Sequence, residues 1–541
     1  MNRKYGMMTA GVVLTSLIAA LAGCAPVTSP PENRVPQAKS DLADTKLIHG
    51  SSSEKLGAAA GKIDPLAPWP MFGGTPSRNM VNLVDKNIPT TWNAEEGKFK
   101  NIKWVAQLGS HSYGGVVVAD GKVFVGTNNH NPRDTKVKGQ LAILMAFNEA
   151  DGKFLWQIGH ESPADALFNE GRSSGLCATP VVEGQRLFYV TPGCEVVCAA
   201  TTGKVQWTYD MMKELKVVPY HLSNCAPLIT GDLVMVVTGN GVDDEGKVVS
   251  PRAASFIAIN KNTGKLVWQC SLPGKDIIEG QWSNPTFATI NGRTQVIFPG
   301  GDCVLYSFEP ATGELLWKCD CYPTRKMKGE REHDIYIVAT PVVYGDRLYL
   351  GLGVCPDSKH MPKFSYCLCL DITKQGDVSP KNYDVKDPAN KDSALLWAFG
   401  GKIQPPPAKG REYYFGRTMS TAAVHDGLVY IAEELGYLHC LDAKTGQRYW
   451  DHDFKTSIWG SPYYVDGKIY VGTTDGEVII FAHGKARKYY LHGKAEIPSL
   501  KNDKRLPSAS MDDNEVGTPI VANGVLFIAT KSKLFAIANG K

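Results

Sequence analysis

The stretch Leu441-Asp442-Ala443-Lys444-Thr445-Gly446-Gln447-Arg448-Tyr449-Trp450 decides the fold of this chain, because its last part recurs with one fixed spacing. A Trp follows a Gly by four residues at five places, which are Gly152 and Trp156, Gly203 and Trp207, Gly264 and Trp268, Gly313 and Trp317, and Gly446 and Trp450. A turn followed by an aromatic residue at constant spacing indicates an internal structural repeat. We therefore expect a chain built from copies of one unit.

A second feature of the repeat is a hairpin at the start of each copy. Gly combined with Asp, Asn or Glu marks eight such turns, at residues 120–121, 183–184, 231–232, 291–292, 345–346, 426–427, 466–467 and 523–524. Tight hairpins need these residue types because they require positive φ angles. With two further strands after each hairpin, every copy holds four short strands. The sequence thus predicts an all-β, eight-bladed β-propeller of four-stranded antiparallel blades.

The last copy, from Thr518 to Lys541, ends after its third strand. The segment Asn101-Ile102-Lys103-Trp104-Val105 supplies a Trp-bearing strand without a hairpin of its own, so we expect this N-terminal strand to close the ring and remove the open edge. Seven blades remain an alternative, because Lys488 occupies the position of the Trp in the seventh copy. A double sandwich is a less favoured alternative.

These motifs resemble those of the pyrroloquinoline-quinone (PQQ)-repeat propeller family, whose blade phrase is an aliphatic strand followed by Ala-x-Asp-x-x-Thr-Gly-x-x-x-Trp. The segment from Trp69 to Gly74 is similar to the lead-in of such propellers. The resemblance extends from Trp69 almost to the C-terminus. It implies the propeller fold, and it does not by itself imply chemistry.

The N-terminus resembles a bacterial lipoprotein signal. Arg3 and Lys4 precede an apolar run from Met7 to Ala22, and Leu21-Ala22-Gly23-Cys24 ends it. An ordinary secretory peptide and a membrane helix are the alternatives, although the run is short for a membrane span. The resemblance implies lipidation of Cys24. We expect a signal peptide at 1–24, a flexible Pro- and Ser-containing tether at 25–66, and the propeller at 67–541.

The expected location is the cell envelope, with the lipid anchor in the outer membrane and the propeller facing the periplasm. Ala25, where the best-known sorting rule would require Asp to keep a lipoprotein in the inner membrane, implies the outer membrane. The net charge is +4, with 43% hydrophobic and 21% charged residues. Because the Lys and Arg residues are interspersed with Asp and Glu, nucleic acid is not expected as a partner.

The long insertions concentrate on one face of the predicted propeller. Loops between the second and third strands and loops between blades emerge on the same side. That side receives the insertions 128–140, 159–176, 211–224, 242–252, 321–337, 355–365, 400–418 and 488–516, whereas 373–391 is one long exception. Insertions collect where ligands or partners bind, so we expect this insertion-bearing face to carry the function.

Polar and aromatic side chains cluster near the channel mouth on this face. The candidate partner-binding residues are His111, Arg172, His221, Asn224, Trp282, Asn284, His333, Arg417 and Trp459. Such side chains suit an acidic or an aromatic group. The structural alternative for each is that it caps a loop or closes the ring through hydrogen bonds.

Some members of the PQQ-repeat family are quinoprotein dehydrogenases, in which a calcium ion polarises the quinone and an Asp accepts the alcohol proton. By resemblance, Asn240 would be a calcium ligand and Asp334 a cofactor-site residue. The proton-accepting Asp is replaced by Ile337, which can neither bind calcium nor accept a proton. The sequence also has no adjacent Cys pair and no Cys-x-x-Cys-His haem motif.

A non-catalytic role is therefore the preferred prediction, with a PQQ-dependent alcohol or sugar dehydrogenase as the alternative. The chain resembles the lipid-anchored propellers of outer-membrane protein assembly, which implies a protein-binding scaffold with an envelope or outer-membrane protein as partner. We expect no cofactor and no metal. Cysteine pairing stays open: Cys194 with Cys198 and Cys177 with Cys225 are possible bridges, and small buried thiols are the alternative.

Overall fold

The computed structural model describes residues 68–540 apart from 134, 136, 138, 162–173, 244, 324–334, 354–364, 492–493 and 497–508. The expected signal peptide, Cys24 and the tether lie outside the described residues. No helix in the described ranges is long and apolar enough to cross a membrane.

Eight β-sheets follow one another along the chain, and they confirm the eight-bladed propeller. We number the blades in chain order. The strands of blades 1 to 4 are, in turn, Val117–Ala119, Lys122–Asn128, Leu141–Asn148 and Phe154–Glu161; Val181–Glu183, Arg186–Val190, Glu195–Ala200 and Val205–Asp210; Leu228–Thr230, Leu233–Val237, Phe256–Asn260 and Leu266–Cys270; and Thr286–Ile290, Arg293–Pro299, Val304–Phe308 and Leu315–Asp320.

The second half of the ring repeats the same antiparallel order. Blades 5 and 6 contain Val342–Tyr344, Arg347–Gly351, Tyr366–Asp371 and Leu395–Gly400, then Ala423–His425, Leu428–Ala432, Tyr437–Asp442 and Arg448–Asp453. Blade 7 contains Tyr463–Val465, Lys468–Gly472, Glu477–Ala482, Tyr489–Leu491, Lys494–Glu496 and Ala509–Ser510, and blade 8 contains Ile520–Ala522, Val525–Ala529 and Lys533–Ile537. The helical elements with bounds in the described ranges are Met211–Leu215 and the 3-10 turns Gly274–Asp276 and Pro388–Asn390, and Ser174 is helical as well.

The N-terminal strand closes the ring, as the sequence predicts. Ile102–Gln107 pairs antiparallel with Lys533–Ile537 and becomes the fourth strand of blade 8. The alternative of seven blades is wrong, because the seventh copy forms a sheet although it lacks the Trp. Tyr489, next to Lys488, is 2% exposed and packs against Phe481, with ring centroids 5.0 Å apart.

The fixed Gly-to-Trp spacing has a physical cause at the blade boundaries. The Trp of one blade packs against the turn Gly of the next, so close that a Cβ added at Gly264 would lie 2.8 Å from Trp207 Cδ2. The Trp207 Nε1 also donates to the Lys261 carbonyl in the same turn, at 3.2 Å. Equivalent Trp and Gly contacts join Trp104 to Gly152, Trp156 to Gly203, Trp268 to Gly313 and Trp397 to Gly446.

The exceptional insertion within blade 5 also crosses a blade boundary. Its residues Gly376–Asp377 form a short strand that pairs in parallel with the outermost strand of blade 4, at Trp317 and Lys318. Trp317 Nε1 donates to Gln295 Oε1 at 2.6 Å instead of to a neighbouring turn. The insertion therefore covers the outer edge of blade 4, as Lys494–Glu496 covers that of blade 7.

Neither of the two possible disulfide bridges is present. The eleven cysteines among the described residues are all free, and most are buried. Cys194 and Cys303 occupy equivalent turns between the second and third strands, with φ angles of 60° and 67°. Gly436 and Gly476 occupy that position in blades 6 and 7. These thiols behave as small apolar side chains that fill the blades.

The segment from Trp69 to Asp85, which we call the axial strap, runs along the inner edge of the ring. It hydrogen-bonds the first strand of a blade, or the two residues before it, in all eight blades. The contacts follow chain order except at blade 3, which is bonded by Arg78, whereas the earlier residues Pro76 and Ser77 bond blades 4 and 5. The partners in blades 1 to 8 are Val118, Val182, Ala226 with Pro227, Phe287, Val343, Val424, Tyr464 and Val521. The strap thus satisfies backbone groups that an innermost strand would leave unpaired.

Arg78 is the central side chain of the strap. It is fully buried, and its guanidinium donates to the carbonyl oxygens of Phe72, Ala226, Pro227 and Pro285 at 2.9 to 3.0 Å. Burial lowers its pKa to about 10. A buried cation is tolerated only when its donors are matched with acceptors, and here four carbonyl groups of the strap and of blades 3 and 4 provide them.

We expect Gly264→Ala to destabilise the protein by about 1–3 kcal/mol more than Gly467→Ala, because its methyl group would overlap Trp207. The two glycines have φ angles of 69° and 70°, and no atom lies within 4 Å of a Cβ built at Gly467. Both variants therefore carry the same backbone strain. Urea unfolding midpoints measure the difference, and equal midpoints would show that the Trp contact is unimportant.

We expect Arg78→Met to lower the free energy of unfolding by about 3 kcal/mol or more, because it leaves four buried carbonyl groups without their donor. Arg448→Met is the control: Arg448 is 37% exposed and pairs with Asp451, so about 1 kcal/mol or less should be lost. Chemical denaturation of both variants gives the comparison. A loss no larger than that of the control would contradict the role of Arg78.

Candidate functional site

A cavity of about 390 Å³ lies inside the ring, at the end of the channel that opens on the insertion-bearing face. We call it the cup. Its wall contains one equivalent position from every blade, two residues before the first strand. These eight positions are Gly115, Thr179, Ala226, Asn284, Thr340, Thr421, Ser461 and Thr518.

Small polar side chains at these positions link neighbouring blades. Asn284 is the clearest case, because its Oδ1 accepts from the Ala226 N–H at 2.6 Å and its Nδ2 donates to Thr340 Oγ1 at 2.7 Å. Similar bonds join Gly115 to Thr179, Thr421 to Ser461, and Ser461 to Thr518. Asn284 therefore serves ring closure, which was the structural alternative for this candidate.

The axial strap lies beneath the cup. Phe72 of the strap contributes to the lining. In most blades the residue that bonds the strap lies three positions after the wall residue, as Val182 does after Thr179 and Val343 after Thr340. Three residues of a strand span about 10 Å. The strap thus crosses the channel below the cup, on the side away from the insertions.

Two aromatic side chains form one side of the cup. Tyr113 and Trp459 have ring centroids 5.7 Å apart, and Tyr113 is 39% exposed. His111, a predicted site residue, contacts Tyr113 from behind at 5.7 Å and is not part of the lining itself. Burial and the charge of Lys531 lower the pKa of His111, so its imidazole is neutral at pH 7. Trp459 lines the cup, on the face where the sequence analysis placed it.

His221 and Trp282 line the cup from blades 3 and 4, and both are predicted site residues. Their rings contact each other at 6.0 Å, and both contact Tyr220. His221 has a φ angle of 62°, a left-handed conformation that is uncommon for residues other than Gly, Asn and Asp. Such a strained backbone persists only where the surrounding structure fixes it.

Glu515 is a lining residue that the sequence analysis missed. It is the only carboxylate of the described lining, and it too has a left-handed backbone, with a φ angle of 55°. Its Oε1 pairs with Lys531 at 3.1 Å. Its position inside the long insertion 488–516 concealed it, because no repeat spacing marks that segment.

Three hydrogen-bond acceptors of the cup remain unmatched. Asn224 Oδ1, Thr421 Oγ1 and Glu515 Oε2 are buried and have no hydrogen-bond partner within the described part of the chain. Asn224 was predicted as a site residue, whereas the other two were not. Two of these atoms, Asn224 Oδ1 and Glu515 Oε2, can only accept a hydrogen bond, whereas the Thr421 hydroxyl can donate or accept.

The remaining predicted residues lie elsewhere. Arg417 Nε donates to Glu434 Oε2 at 2.8 Å, and Arg417 is not among the lining residues. This ion pair attaches the insertion before blade 6 to the neighbouring turn. Arg172 and His333 lie outside the described residues.

The residues expected for a calcium-bound quinone do not fit that group well. Asn240 is fully buried, its Oδ1 accepts from the Val218 N–H at 3.0 Å, and its Nδ2 donates to the Ser250 carbonyl at 3.0 Å. Its oxygen therefore holds a loop. Ile337 is 2% exposed in an apolar cluster, and Asp334 lies outside the described residues.

PQQ is a tricarboxylic acid, and the described lining contains no Lys or Arg side chain to pair with it. The one carboxylate of that lining, Glu515, is already paired with Lys531 at 3.1 Å. Among the residues that the structure describes, no group of three or more His, Cys, Asp or Glu side chains is arranged to hold a metal ion.

Comparison with protein families gives one match that covers most of the chain. Residues 140–353 and 381–541 match a PQQ-repeat family model described as outer membrane protein assembly factor BamB. No curated protein matches the chain.

Solved structures with the same fold include proteins of different function. A europium-containing methanol dehydrogenase is 14% identical, with 86% of this chain and 90% of that chain covered and a TM-score of 0.53. Quinohemoprotein alcohol dehydrogenase from Comamonas testosteroni is 13% identical, with 89% and 82% covered and a TM-score of 0.53. BamB from Moraxella catarrhalis is 14% identical, with 80% and 98% covered and a TM-score of 0.49. At these identities the two dehydrogenases show the fold alone.

We expect Asn240→Ala to lower the free energy of unfolding by about 1–3 kcal/mol, because the Val218 N–H and the Ser250 carbonyl lose their partner. If Asn240 holds a loop and not a calcium ion, calcium should leave the melting temperatures of wild type and variant unchanged. Thermal unfolding with calcium and with chelator measures this. Stabilisation by calcium in the wild type that the variant loses would instead identify Asn240 as a ligand.

Proposed function

Because the chain belongs to the PQQ-repeat propeller family of the outer membrane protein assembly factor BamB, we propose that it is a non-catalytic scaffold of the cell envelope. In this proposal Cys24 carries a lipid anchor in the outer membrane, and the propeller faces the periplasm. Its insertion-bearing face binds an envelope or outer-membrane protein. Neither nucleic acid nor a cofactor takes part.

The observation that carries the proposal is the aromatic mouth of the cup. Tyr113, Trp459 and Trp282 lie at one opening, on the face that bears the insertions. Tyr and Trp contribute a disproportionate share of binding energy in protein interfaces, because they bury a large area and lose little side-chain entropy. The strap lies beneath them, so a partner can insert a side chain from one side only.

The alternative, a PQQ-dependent dehydrogenase, has less support from the site. Catalysis there would need a calcium ligand, a proton acceptor and positive charge near an anionic quinone. Asn240 already holds a loop, Ile337 replaces the acceptor, and the described lining contains no Lys or Arg. The dehydrogenases with similar structures share the fold, and a fold hosts many functions.

The scaffold proposal predicts that contact with a partner is restricted to one face. Tyr113→p-benzoylphenylalanine should form a cross-linked adduct with an envelope protein when native cells are illuminated. Tyr344→p-benzoylphenylalanine is the matched control, since Tyr344 lies on the opposite, hairpin-bearing face and the two tyrosines are 39% and 41% exposed. Gel mobility and mass spectrometry of the adducts report the result.

An adduct from Tyr113 and none from Tyr344 supports the scaffold. Equal cross-linking from both positions, or none from either, argues against a partner on the insertion-bearing face. The enzyme alternative has its own readout, which is alcohol-dependent dye reduction by purified protein supplied with PQQ and calcium. Turnover in that assay would overturn the non-catalytic assignment.

A further inference from the structure

The charge of the cup identifies the kind of group that it can accept. Glu515 is the only acidic residue of the described lining, which contains neither Lys nor Arg. Lys531 contacts its Oε1 from outside the lining, at 3.1 Å. The second oxygen, Oε2, is buried without a hydrogen-bond partner. The ion pair with Lys531 uses one carboxylate oxygen and leaves the other as an acceptor for a further donor, which differs from the acidic group that the sequence suggested.

Hydrogen-bonding capacity leads to the same conclusion. The unmatched atoms Asn224 Oδ1 and Glu515 Oε2 can only accept, and Thr421 Oγ1 can accept as well. Asn224 precedes the first strand of blade 3, Thr421 that of blade 6 and Glu515 that of blade 8, so the three atoms come from different parts of the ring. Leaving a buried acceptor unmatched is unfavourable, and a ligand with several N–H donors would satisfy all three.

The aromatic wall lies in the same corner as the carboxylate. Glu515 N–H donates to the Thr474 carbonyl, and Thr474 N–H donates to the Ser457 carbonyl, each at 3.0 Å. Ser457 precedes Trp459 by two residues. Faces of Trp and Tyr attract cations, most strongly where water is excluded. A cation placed against Trp459 and Tyr113 would thus be near the free oxygen of Glu515.

Backbone geometry provides a separate observation. Glu515 and His221, from opposite parts of the ring, both have positive φ angles, at 55° and 62°. Neither is Gly, Asn or Asp, which tolerate this conformation best. Such strain persists where the surrounding structure fixes it, and it is concentrated at ligand-binding positions.

We propose that the cup binds the guanidinium of an arginine side chain presented by the partner protein. A guanidinium has five N–H donors for the unmatched acceptors, a flat face for Trp459 and Tyr113, and a positive charge for Glu515. The inference rests on the proposed scaffold function and specifies the chemistry of the partner.

The test compares two peptides on the purified full-length protein by isothermal titration calorimetry. One is acetyl-Gly-Arg-Gly-amide, and the other contains citrulline, which has the shape of arginine without its charge. We expect the arginine peptide to bind about tenfold or more tightly than the citrulline peptide, as a charge-assisted hydrogen bond would give. This comparison uses the wild-type chain and does not depend on any variant folding.

Glu515→Gln should reduce the affinity for the arginine peptide about tenfold and leave that for the citrulline peptide unchanged. Glu183→Gln is the control, because Glu183 also pairs with a lysine, Lys261, at 2.8 Å, and lies on the hairpin-bearing face. It should bind both peptides as the wild type does. Trp459→Leu, which removes the cation-binding face, should weaken the arginine peptide as well.

Equal affinity for the two peptides, or an unchanged affinity in Glu515→Gln, would overturn the inference. Tighter binding of free spermidine than of the arginine peptide would also overturn it, since the cup would then serve a small amine. If the arginine peptide shows no preference but Tyr113 still cross-links to a partner, only the arginine assignment is wrong. If neither the peptide preference nor the cross-link is observed, the scaffold function is wrong as well.

Discussion

The contact between the Trp of one blade and the turn Gly of the next is the interaction on which the rest of the structure depends. A four-stranded blade has two faces and cannot bury both by itself. The indole covers the neighbouring turn, as Trp207 covers Gly264, and its N–H bonds a carbonyl there. Each contact fixes the rotation from one blade to the next. Repeated at five of the eight blade boundaries, these rotations set the channel and hence the shape of the cup.

The sequence predicts this architecture because the Gly and the Trp of each copy recur with the same spacing of four residues. The same reasoning explains its limits. Blade 7 packs Tyr489 instead of a Trp, so spacing alone left seven blades open. The axial strap escaped prediction, since Trp69 to Asp85 has no periodic pattern. Its bonds are made by backbone groups and by Arg78, which reaches carbonyl oxygens 148 and 207 residues away. Such long-range pairing has no local signature.

The candidate site was predictable to a similar extent. Residues next to the first strands, such as Trp282 and Trp459, were found because the repeat locates the channel mouth. Glu515 was missed, because its insertion follows no repeat. Arg417 was expected at the mouth, but an ion pair with Glu434 holds it away from the cup. This difference alters the chemistry, because without Arg417 the described lining contains no Lys or Arg side chain. Sequence position located these residues, whereas the direction of each side chain depended on neighbours distant in the chain.

The order of the strap contacts has a consequence for biosynthesis. The strap precedes every blade in the chain, so it emerges before the blades when the chain is delivered N-terminus first. Except at blade 3, which Arg78 bonds, its residues contact the blades in the order in which both occur along the chain, from Val118 to Val521. Each new blade can therefore find a strand-edge partner as it emerges, and blades need not stay unpaired until the ring closes. Only the pairing of Ile102–Gln107 with Lys533–Ile537 must await the last codons. The strap thus acts as a template for vectorial folding.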